Sequence, residues 1–127
     1  MIWFAVLAAC GSPCVDTVAS CEPLYEPTFD NVFDNTLRPT CGSEGTACHG
    51  AEGAQGGVVF EEIEASYAVL TEGSEGEPIV LPSDASCSLL MQLISSPDET
   101  FAMPPGDPLS DEERCAIQMW IDQGASR

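Results

Sequence analysis

The chain contains no lysine, and among its 127 residues the only basic side chains are Arg38, Arg114 and Arg127. Against these stand 21 aspartates and glutamates, for a formal charge of -18 at pH 7. Nucleic acids and anionic lipid surfaces are held through Lys and Arg on their phosphates, so the composition argues against both. A basic protein is the partner this field would attract, more weakly as salt rises; a solubility role for the charge needs no partner. Histidine occurs once, at His49, which excludes a blue-copper site with its two imidazoles. There is no C-x-x-C pair, no internal repeat and no sustained strand alternation. The apolar N-terminal run is far too short to span a bilayer.

Cysteine, by contrast, is abundant: seven residues in one short chain fit an oxidising compartment better than cytosol. The opening MIWFAVLAAC resembles the end of a bacterial lipoprotein signal peptide, with a Leu-Ala-Ala-Cys lipobox. That resemblance implies cleavage before Cys10, lipidation of its thiol, and export to the cell envelope, facing periplasm or cell surface. Residues 1–9 then form a truncated signal whose start, for want of a positive n-region, is expected upstream. Residues 10–27, with three prolines and no apolar period, read as a lipidated tether to a domain at 28–127.

Within that domain the pattern is helical. Phe29, Val32, Phe33 and Leu37 share one face of a short helix expected to end at Pro39. Phe60, Ile63, Tyr67 and Leu70 form a second stripe with Gly73 as C-cap, leaving Glu61, Glu62 and Glu64 as a solvated face. A third helix is expected to start at Ser83 or Asp84, with Cys87, Leu90, Met91 and Ile94 on one side. The fourth opens on Ser110 and Glu113 in capping-box spacing, carries Ile117, Trp120 and Ile121, and closes at Gly124. The expectation is an all-α domain of about four short helices joined by long loops, which in a compact fold wrap a ligand or are cross-linked.

The chemistry concentrates in TCGSEGTACHG, residues 40–50. Cys48 and His49 are adjacent, and neighbouring side chains seldom reach the same small ion, so zinc and copper sites space their ligands apart. Haem c suits adjacency, because cysteine bonds a vinyl at the porphyrin edge while the next residue ligates the iron; C-x-x-C-H carries that signature. Here C-H-G is intact at 48–50, but six residues separate Cys41 from Cys48. Gly42 and Gly45 allow a bulged loop, and each doubling of loop length costs only about 0.6 kcal/mol in closure entropy. Three arrangements stay open for Cys41 and Cys48: two thioethers, a single thioether at Cys48, or a Cys41 to Cys48 disulfide beside the haem. Downstream, Met103 lies in a loop stiffened by Pro104 and Pro105, a placement that suits a sixth ligand to iron.

From about residue 24 to 125, CHG at 48–50, GG at 56–57, MPPG at 103–106 and LSDEE…WIDQGA at 109–125 occur in an order similar to that of a class I cytochrome c domain. The likeness is to the divergent planctomycete and myxobacterial exported type. It implies an all-α fold around one haem c, with Cys41 and Cys48 as attachment candidates, His49 as proximal and Met103 as distal ligand, and the closing helix crossing the first. Of the other cysteines, with Cys10 lipidated, Cys14, Cys21, Cys87 and Cys115 remain; the favoured pairs are Cys14 to Cys21 and Cys87 to Cys115. The implied function is electron transfer by a single haem iron, in a tethered monomer meeting a redox partner protein. The alternative is a haem-free, disulfide-stapled lipoprotein serving as a binding or structural module. Without a second histidine or a G-x-S-x-G, an enzyme is not expected.

Overall fold

The computed structural model describes residues 14–17, 20–42, 49–50, 57–98 and 100–127. Its described elements are all helical. Helix α1 (Phe29–Val32) begins where the Thr28 hydroxyl accepts the Asn31 N–H at 3.3 Å. It continues directly as a π-helical segment, Phe33–Cys41, that carries Pro39 inside it. The expected stop at Pro39 is therefore corrected. Proline has no N–H to donate and its ring crowds the preceding turn of an α-helix, whereas the wider π register reaches five residues back, as Gly42 N–H does to Leu37 O at 2.8 Å. The continuation carries Thr40 and Cys41 to the helix end, beyond the buried Phe33 and Leu37.

Helix α2 (Ile63–Glu72) is capped by Glu62, whose carboxylate accepts the Glu64 and Ala65 N–H groups at 3.1 and 2.8 Å. The three glutamates expected on a solvated face are exposed, but Glu62 is a cap and Glu64 meets Arg127. Gly73 ends the helix with φ 81°, and any side chain there would overlap the Glu77 carbonyl. Only glycine meets both demands.

Helix α3 (Leu89–Ser95) starts later than expected. The Asp84 carboxylate accepts the Cys87 N–H at 3.3 Å and the Ser86 hydroxyl at 3.2 Å, while the Ser88 hydroxyl donates to Asp84 O at 2.8 Å. Such local side-chain bonds give the backbone an alternative to the helix, so Cys87 sits in a turn ahead of it. Helix α4 (Asp111–Asp122) has the expected capping box, with both reciprocal bonds at 3.1 Å. Ile117, Trp120 and Ile121 are buried. Trp120 and Tyr67 both pack on Phe29, at ring-centroid distances of 5.1 and 5.2 Å, which joins α1, α2 and α4 in one core. Burial of such large apolar side chains stabilises by roughly 1.5–3 kcal/mol each.

The cysteine pairing differs from the expected one. Cys14 is bonded to Cys87 and Cys21 to Cys115, across 73 and 94 residues of sequence. The turn before α3 and the flank of α4 each face the N-terminal segment instead of each other. Backbone bonds follow the same path: Val15 N–H to Ser86 O at 2.8 Å and Leu24 N–H to Glu112 O at 3.0 Å. The Tyr25 hydroxyl shares a 2.7 Å hydrogen bond with Thr36, and burial pushes its pKa above the usual value. Residues 14–17 and 20–27, read as tether, are thus laced onto the domain. Cys10 and its lipobox lie outside the described residues.

Candidate functional site

A cavity of about 790 Å³ lies between the π-helical segment, α2, α3 and the loop before α4. Leu37 and Cys41 contribute from the π-helical segment, Leu70 from α2, Leu90, Leu93 and Ile94 from α3, and Ile117 from α4. These side chains sit there because the same apolar stripes that form the core continue past it. His49, Phe60, Met103 and Pro104 complete the inner wall.

The backbone of His49 is held at both ends: its N–H donates to Cys41 O at 3.1 Å, and its carbonyl accepts the Phe60 N–H at 2.7 Å. Gly42 makes that approach feasible, since a side chain at this position would overlap the Phe60 carbonyl and lie 2.9 Å from Arg38 O. The imidazole Nδ1 is 3.0 Å from the Val58 carbonyl. A carbonyl only accepts, so Nδ1 carries a hydrogen, and in the neutral ring the lone pair is on Nε2. The ring packs beside Phe60, 5.4 Å between centroids. Hydrogen bonding of the second ring nitrogen is how proteins fix the tautomer and orientation of a ligating histidine.

Met103 is placed by a different element. Its N–H donates to Leu93 O on α3 at 3.0 Å, and the Ala102 N–H reaches Asp98 O at 2.8 Å. Asp98 is itself tied to the Thr100 hydroxyl at 2.7 Å, and that bond holds its carboxyl below the usual range. Among the described methionines Met103 alone lines the cavity; Met91 is buried in the core and Met119 lies 3.8 Å from the Cys115 sulfur. The structure therefore brings Cys41, His49 and Met103 to one cavity. Cys48 lies outside the described residues. Sequence reasoning missed the Val58 carbonyl, the Phe60 ring and the Leu93 carbonyl, two of which are main-chain groups that carry no residue signature.

Residues 46–107 match the family model described as Planctomycete cytochrome C. This part of the chain is a divergent planctomycete-type cytochrome c domain. No curated protein and no solved structure matches the chain. The matched span of the cytochrome domain includes His49 and Met103, while Cys41 and α4 lie beyond its two ends. The matched family implies haem. The chemistry of the cavity fits it: one imidazole with its lone pair on Nε2 and one thioether in an apolar enclosure form a donor pair suited to haem iron. The family and the two disulfides also point to an exported cytochrome domain. No described helix is long and apolar enough to cross a membrane.

The three arginines pair with carboxylates that do not line this cavity. Arg38 pairs with Asp34 at 3.8 Å, Arg114 with Asp111, and Arg127 with both Asp30 at 2.6 Å and Glu64 at 2.5 Å. Bonding to Arg127 lowers the Glu64 pKa, and bonding to Glu64 and Asp30 raises that of Arg127. None of the three arginines lines the cavity.

Proposed function

We propose that the chain is a single-haem electron carrier in which His49 and Met103 are the axial ligands of the iron. The observation that carries this reading is the placement of both side chains on one apolar cavity inside a cytochrome c domain. When bound, the haem supplies reversible one-electron chemistry at iron. His49 offers Nε2 because Val58 holds its Nδ1 hydrogen, and Met103 offers a thioether, which with histidine raises the reduction potential. The walls contributed by α3 and Phe60 are apolar. The surrounding carboxylates act in the opposite direction on the potential, favouring the ferric form. Cys48 would attach the porphyrin edge, alone or with Cys41 as second thioether; in the other arrangement Cys41 and Cys48 form a disulfide and the haem is held without a thioether. No substrate bond is broken in this scheme, so the chain acts as a carrier and not as an enzyme, and its redox partner is a basic protein. Cleavage and lipidation at Cys10 would tether a monomer to the cell envelope.

A second reading draws on the two long-range disulfides, which cross-link the helices without any cofactor. In it the chain is a haem-free lipoprotein whose cavity or surface binds a partner. Expression in an exporting host with haem-maturation functions separates the two. A sharp reduced α-band that survives acid-acetone extraction supports covalent haem and electron transfer; a colourless protein overturns that reading.

A further inference from the structure

The mouth of the cavity is identified by the side chains that both line it and remain exposed: Ser74, Glu75, Glu77, Leu89 and Pro105. Ser74, Glu75 and Glu77 belong to the loop after α2 whose sharp start is set by Gly73, and Leu89, 41% exposed, opens α3. This rim combines an apolar contact with two carboxylates. No basic side chain lines the cavity with them: the chain has no lysine, and its three arginines pair with Asp34, Asp111, Asp30 and Glu64, none of which lines it. We infer that this rim is the docking face for a basic protein partner, with Glu75 and Glu77 meeting its Lys or Arg side chains and Leu89 packing at the centre of the contact. The inference rests on the electron-carrier reading and assigns that reading's partner a place. A partner seated here covers the opening of the cavity. The overall charge of -18 steers a basic protein toward the molecule from any direction, and the rim decides where it stops.

The test uses decalysine as the probe, titrated into the isotope-labelled chain as isolated, with backbone amide shifts recorded at low salt and again at physiological salt. Two double variants each remove two negative charges: Glu75→Gln with Glu77→Gln at the rim, and Glu22→Gln with Glu26→Gln on the exposed N-terminal segment. Shifts are expected at residues 73–77, 89 and 106. Removal of the rim charges should weaken binding at least about fivefold, and removal of the remote pair less than about twofold, because a rim charge acts on a local partner and a distant one mainly on steering. Equal weakening by the two variants, or shifts centred elsewhere, overturns the docking face. The titration needs no redox centre, so a colourless protein would remove the haem reading while leaving this result interpretable by itself.

Discussion

The Nδ1 of His49 donates to the Val58 carbonyl across 3.0 Å, and the His49 carbonyl in turn accepts the Phe60 N–H at 2.7 Å. Side chain and backbone of one residue are thereby fastened to the same short stretch of chain, so the imidazole cannot turn without disturbing Phe60. His49→Ala is expected to leave a cytochrome whose iron has lost one protein ligand and takes imidazole from solution. Visible spectra with and without added imidazole check this, and a spectrum identical to that of the parent protein would exclude His49 as a ligand.

Met103→Ala should lower the reduction potential by on the order of 100 mV or more, within the roughly 0.8 V range that axial ligands command. Potentiometric titration reads the change directly. An unaltered midpoint would assign Met103 to the cavity wall alone.

Gly42→Ala places a methyl group against the Phe60 and Arg38 carbonyls, main-chain atoms that give way only if the backbone itself shifts. The cost expected for such overpacking is about 1–3 kcal/mol, with weakened seating of His49 because Phe60 must move. Denaturant unfolding and cofactor content, measured together, test it; wild-type values for both would contradict the close approach.

Each disulfide closes a long loop, so replacing either Cys14 with Cys87 or Cys21 with Cys115 by serine pairs should cost about 2–5 kcal/mol. Peptide mapping of the non-reduced chain must find the same crossed pairs. Recovery of a Cys14 to Cys21 peptide would refute the lacing of the N-terminal segment.

Acid sensitivity should involve Glu64. Its carboxyl is held below the usual 4.5 by Arg127, so the folded state binds the proton less readily than the unfolded chain. The stabilisation is present above that ordinary value and fades as pH falls below it. Glu64→Gln should therefore flatten the acid limb of a stability-against-pH curve without changing the neutral-pH slope; an unchanged acid limb would show that the ion pair contributes nothing in solution.

Legibility from the sequence followed the range of the interactions. The stripe at Phe29, Val32, Phe33 and Leu37, the Gly73 cap and the Ser110 to Glu113 box are set by neighbours within a few residues, and each is found where it was expected. Helix α3 starts later than the pattern suggests because Asp84, Ser86 and Ser88 form side-chain bonds that compete with a helix, and composition does not say which set wins. Pro39 was read as a stop because α geometry is the default, and the π register that admits it depends on its surroundings.

By itself the sequence determined the helical content, the negative field with its three cations, and the ordered appearance of C-H-G, M-P-P and the capped closing helix. Those features depend on residue type and short spacing, which the chain displays openly. Only the tertiary structure decided that Cys14 meets Cys87 and Cys21 meets Cys115, that the presumed tether lies against the domain, and that His49 and Met103 share a cavity. Such outcomes arise when buried apolar faces from distant segments pack together and main-chain carbonyls such as those of Val58 and Leu93 are carried into place. No local pattern encodes where those segments meet, because the free energy that brings them together belongs to the packed core as a whole.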